Sequence, residues 1–147
     1  MRAAYRVLGQ LIAVGVVLQA VFIAVAWFQV LKDTDSGAVF DKNSDGNWAH
    51  AAHGIVGMMV IPIIAIVFLI ISFFARVPGG VKWAAITFGL TVLQIVLAFV
   101  SFAAPVLGSL HAINAFALAA VASIAARRAR LAETTPAVAP SEPVTTA

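Results

Sequence analysis

Residues 48–74 read WAHAAHGIVGMMVIPIIAIVFLIISFF. The stretch contains no Asp, Glu, Lys or Arg. It is also longer than the about 20 apolar helical residues that cross a hydrocarbon core of about 30 Å. Three further stretches pass the same test, from Val7 to Leu31, from Val81 to Ala104 and from Val106 to Ala126, and none carries a charge in its interior. Backbone N–H and C=O groups in hydrocarbon must be satisfied within the segment itself, which selects helices over open strands. The expected fold is all-α: a four-helix transmembrane bundle over residues 1–131, running up-down-up-down. Composition agrees. Of 147 residues 63% are hydrophobic and 10% charged, where a soluble domain carries about a quarter charged residues. The mean hydropathy of +1.05 excludes a water-soluble globule and, for most of the chain, disorder. With no cysteine, disulfides, thiolate metal sites and iron–sulfur clusters are excluded.

Charge placement gives orientation. Arg2 and Arg6, Arg76 and Lys82, and Arg127, Arg128 and Arg130 flank one side of the spans, and only Lys32 and Lys42 flank the other. By the positive-inside rule both termini are expected in the cytoplasm and loop 32–47 outside the cell membrane. The basic residues thus report topology, and nucleic acid is not expected as a partner. The first span is expected to stay in the protein. Its apolar run outlasts the about 7–15 residues of a signal-peptide core, and Ala24-Val25-Ala26 lies inside that run. Residues 132–147 are polar and proline-containing and are expected to form a disordered cytoplasmic tail.

The spans repeat. Val17-Leu18-Gln19-Ala20-Val21 matches Val92-Leu93-Gln94-Ile95-Val96, and His53-Gly54-Ile55-Val56-Gly57 matches His111-Ala112-Ile113-Asn114-Ala115. Two hairpins of the same direction are expected, related by a pseudo-twofold axis along the membrane normal. Each histidine falls about five residues into its span, at about 7–8 Å depth for a 1.5 Å rise. Such an axis lets His53 and His111 face each other.

An imidazole in a membrane helix marks a candidate site. Three readings follow. Two histidines of equal depth on opposite helices, beside Gly54, Gly57, Gly108, Ala112 and Ala115, suit the axial ligation of a haem b. Gln19, Gln94, Asn114 or backbone carbonyls are candidates to orient the rings, although Gln19 and Gln94 are expected to lie too deep for direct contact. In the second reading, His50, three residues before His53, joins His53 and His111 in a zinc or copper site. In the third, the histidines are hydrogen-bonded packing residues of a bundle without cofactor. Pro62 is expected to kink span two. Met58 and Met59 are expected to fill core, and Phe99, Phe102 and Phe116 to pack on a bound ring or on lipid.

In the loop, Asp41-x-Asn43-x-Asp45-Gly46 matches the first half of a calcium loop, with Asp33 or Asp35 as helpers. The position of the bidentate glutamate is Ala52, so a full EF-hand is excluded. Lys32 and Lys42 are the loop cations available to haem propionates.

His-x-x-x-Gly in span two, Leu-Gln in span three and Leu-His-x-x-Asn-Ala in span four resemble a family of small actinobacterial four-span membrane proteins. The resemblance covers residues 5–125 and implies a membrane location but no established activity. More distantly, the layout resembles one four-helix half of haem A synthase, where histidines on the second and fourth helices of a half ligate haem. That resemblance implies His53 and His111 as axial ligands. The chain has one half and no carboxylate within its helices, so haem A synthesis is not expected. The expected function is a b-type haem-binding redox protein served by a quinone or a membrane redox partner. The alternatives are a cofactor-free membrane subunit or assembly factor and the three-histidine metal site. Catalysis is left open.

Overall fold

The computed structural model describes residues 1–134. Four helices are long and apolar enough to cross a membrane: α1 (Arg2–Asp35), α2 (Trp48–Ser72), α3 (Gly80–Ala103) and α4, which the short 3-10 turn Pro105–Leu107 leads into and which runs Gly108–Thr134. Among the described residues there is no strand. The chain is therefore a multi-pass, four-helix bundle of the membrane class.

Side-chain bonds between helix ends fix the direction of each element. Tyr5 Oη donates to Gly80 O at 2.8 Å, joining the starts of α1 and α3. Arg2 Nη1 donates to Ala132 O at 3.0 Å, and Arg6 pairs with Glu133 at 3.4 Å, joining the start of α1 to the end of α4. Asn47 Nδ2 donates to Ala26 O at 2.9 Å near the other end. The helices run up-down-up-down, with the ends of α1 and α4 meeting at what we term the terminal end and residues 36–47 at the loop end.

The buried apolar core lies in the terminal half. It is built from Tyr5, Ile12 and Val16 of α1, Ile61, Ala65 and Phe68 of α2, and Ala84 of α3. Leu118, Ala122, Ala125 and Ala129 of α4 complete it, with Ala75 and Val77 of the α2–α3 connection. The Tyr5 and Phe68 rings pack with centres 4.4 Å apart and planes tilted by 42°. Helices in lipid associate through close packing and shared hydrogen bonds, without a hydrophobic drive between them, and small alanines give α4 that closeness. Tyr5 is wholly buried. Tyr5→Phe is therefore expected to cost about 1 kcal/mol, one buried hydrogen bond, read as earlier unfolding in detergent with unchanged helix content.

The elements outrun their sequence-read bounds at several ends. α1 extends past Val7 and Leu31 to Arg2 and Asp35. The α2 helix stops at Ser72 rather than Phe74. α4 continues beyond Ala126 to Thr134. Arginine and alanine are strong helix formers, and Ala129 is buried against the bundle, so the arginines end the apolar span without ending the helix. Residues 132–134 are thus helical rather than part of a tail. The expected disorder of the remaining tail falls on 135–147, outside the described residues. Pro62 acts through a π turn, Val56–Val60, in which Ile61 N–H donates to Val56 O. The wider turn accommodates the proline ring and its missing donor within an otherwise continuous helix. Met58 and Met59 are exposed rather than core, as are Phe99, Phe102 and Phe116. In a membrane these face lipid.

Candidate functional site

α2 starts below the end of α1. Its N-cap, Asn47, accepts from Ala49 N–H and His50 N–H through Oδ1 while its amide nitrogen reaches Ala26 O. Asn47 is thereby level with Ala26, and the last turns of α1 project beyond it. His53 lies six residues along α2 from Asn47, and Gln19 lies seven residues back along α1 from Ala26. The two meet. His53 Nδ1 is 3.1 Å from Gln19 O. The second hairpin makes the same contact, with His111 Nδ1 3.0 Å from Gln94 O. The expectation that the two glutamines lie too deep is therefore corrected. It assumed that both helices start at one level; the partners found are backbone carbonyls, which the sequence reading also allowed.

A carbonyl oxygen only accepts, so Nδ1 donates in both rings, and the neutral tautomer with this donor has its free lone pair on Nε2. Neither Nε2 has a hydrogen-bond partner among the described residues, and neither is sealed from the surroundings. The ring centres are 6.4 Å apart with planes inclined by 53°. Two imidazoles that each bonded one first-row metal ion at about 2 Å would have ring centres of similar separation, about 6 Å. The structure therefore places two imidazoles, each held through Nδ1 by a peptide carbonyl, with ring centres at a separation that one shared metal ion would allow.

The helices that carry the two histidines are not packed on each other. α2 and α4 share no extended contact, and the buried apolar core stops short of the histidine level. A Cβ at Gly54 would meet nothing within 4 Å, so the chain itself does not fill the space beside His53. Gly57 serves otherwise. A Cβ there would come within 3.0 Å of Gln19 Nε2, so this glycine admits the Gln19 side chain. Ala115 packs against the core.

The polar groups beneath the rings are unequal. Gln94 Nε2 donates to His111 O at 3.0 Å, and Asn114 Nδ2 donates to Gln94 Oε1 at 2.6 Å and to Leu90 O at 2.9 Å. Gln19 is 9% exposed, and neither its Nε2 nor its Oε1 has a hydrogen-bond partner among the described residues. A buried polar group left unpaired costs about 1–3 kcal/mol.

His50 does not join the pair. Its ring stands edge-on to Trp27 with centres 5.4 Å apart, and among the described residues no three His, Asp or Glu side chains gather around a metal position. In the loop, Asp41, Asn43 and Asp45 are exposed. The Asp41 carboxylate is engaged within its own turn, by Asn43 N–H at 2.8 Å and the Ser44 hydroxyl at 3.3 Å. The Asn43 backbone N–H, first among its partners, holds the Asp41 carboxyl below its ordinary range. A lowered carboxyl pKa stabilises the turn above the ordinary carboxylate range, and that stability is lost as pH falls through the lowered value. The Asn43 amide resonance is therefore expected to titrate below the pH at which a free aspartate does. A midpoint at or above the free value overturns this.

The chain matches no protein-family model, no curated protein and no solved structure.

Proposed function

We propose that the chain is a multi-pass protein of the cell membrane, with both termini cytoplasmic, that holds one b-type haem between His53 and His111 near the outer face. One observation carries the reading: two imidazoles with protonated, carbonyl-bound Nδ1 and free Nε2 stand 6.4 Å apart across the bundle. Packing histidines need one satisfied nitrogen each. They do not need matched free nitrogens at the spacing of an axial pair, and that distinguishes this reading from a cofactor-free subunit. The seven basic residues at the terminal end support the orientation.

Haem on two neutral imidazoles supplies one-electron transfer. The protein's part is to fix both rings through Gln19 O and Gln94 O, to keep the Gly54 side open, and to present Lys32 and Lys42 at the loop end for acidic substituents. A single site near one face does not span the bilayer, so a quinone or a membrane redox partner completes the electron path. The test is the absorption spectrum of the full chain, purified in mild detergent from haem-replete membranes. A Soret band that sharpens and shifts on reduction is expected. Protein that stays colourless after incubation with haem overturns the reading.

A further inference from the structure

The two hairpins repeat the histidine contact but not its support. On α4, Gln94 grips His111 twice, through its carbonyl at Nδ1 and through its amide at the His111 carbonyl, and Asn114 locks that amide. On α2 the position equivalent to Asn114 is Val56. The Gln19 amide consequently has no partner, although it is buried and pressed against Gly57. Directly after this turn the helix runs through the π turn Val56–Val60. A π turn holds more residues than an α turn, and passing the extra residue along the chain rotates the segment before it. That segment, Trp48–Ile55, has α1 as its one extensive helix neighbour, whereas α4 packs on both α1 and α3. The loop before it, residues 38–47, is mostly exposed and can absorb the shift.

The geometry points to an unequal axial pair, in which His111 is the permanent ligand and His53 yields its place to a small neutral ligand. The inference rests on the haem reading. His53 Nε2 would be the donor that withdraws when haem is bound, and a lone pair of the incoming molecule would replace it. No electron or proton moves, and Nδ1–H stays with the protein. The incoming molecule is neutral and small, of diatomic size. The space beside Gly54 is uncharged, and the nearest cations, Lys32 and Lys42, share the loop end with Asp33, Asp35, Asp41 and Asp45.

Carbon monoxide is the probe. The full chain is loaded with haem, reduced with dithionite and mixed with carbon monoxide while the Soret band is followed. The wild type is expected to form the adduct at a rate independent of carbon monoxide concentration at saturation, because departure of His53 limits it. His53→Ala is expected to keep its haem and to bind carbon monoxide without that limit. Val56→Asn supplies the missing partner to Gln19 and is expected to slow binding about fivefold, the weight of one buried hydrogen bond. A reduced wild type that holds haem but forms no adduct overturns the inference and leaves the haem reading standing. So does a His53→Ala protein that loses haem completely, or a Val56→Asn protein that binds at the wild-type rate. A wild type without haem overturns both. Amide hydrogen exchange on the unloaded wild type needs no variant: residues 48–55 are expected to exchange faster than 108–115, and equal protection overturns the inference.

Discussion

His111→Ala is expected to leave the purified protein colourless. The substitution removes the imidazole that is most firmly held. His111 Nδ1–H is fixed on Gln94 O at 3.0 Å, the Gln94 amide returns a bond to the His111 carbonyl, and Asn114 ties that amide to α3. Loss of a group that only orients a ligand lowers metal affinity about 10–100-fold, and loss of the ligand itself exceeds that. Asn114→Ala measures the smaller effect. It keeps both imidazoles and is expected to weaken haem binding within that range. Neither variant touches the apolar core of the terminal half, so helix content by circular dichroism is expected to match wild type. A His111→Ala protein with an undiminished Soret band would remove His111 from the site and the haem reading with it.

The class of the fold was legible because the apolar runs are long and uncharged. The pairing of the histidines was legible because each hairpin carries a Gln in a Val-Leu-Gln motif on its first helix and a His in a His-small-Ile motif on its second. What escaped the sequence was level. Counting residues from the ends of apolar runs puts Gln19 far below His53. Asn47 caps α2 opposite Ala26, so the last turns of α1 rise above its neighbour, and that offset brings Gln19 O to the ring. An N-cap asparagine directly before Trp48 is a signal that places the helix start, but nothing in the sequence says which carbonyl its amide reaches. The end of α4 escaped for a different reason. Charge marks where an apolar span stops, whereas Leu118, Ala122, Ala125 and Ala129 continue one helical face beyond it. The inequality of the two glutamines is written in one difference, Val56 against Asn114. Its meaning depends on knowing that both amides are buried.

Gly9→Val is expected to destabilise the terminal half. α1 packs on α4 more extensively than any other two helices pack here, and Gly9 sits in that contact. A Cβ at Gly9 would lie 3.0 Å from Ala122 O and 3.2 Å from the Ala126 Cβ. The nearest atom is a helix carbonyl, which cannot turn aside as a flexible side chain does, so relief requires α1 to move away from α4. Replacing glycine in a helix interior gains about 1 kcal/mol of propensity with alanine and less with a β-branched residue. Forcing atoms into a packed contact costs about 1–3 kcal/mol. For Gly9→Ala the two terms nearly offset. For Gly9→Val the branched side chain enlarges the clash and forfeits part of the gain, so packing decides the outcome. The measurement is thermal unfolding in detergent, with Gly89→Ala as the control, since its Cβ meets nothing within 4 Å. Gly9→Val is expected to unfold several degrees earlier and Gly89→Ala no earlier than wild type. Equal unfolding temperatures for Gly9→Val and wild type would mean that the α1–α4 contact does not hold the bundle together.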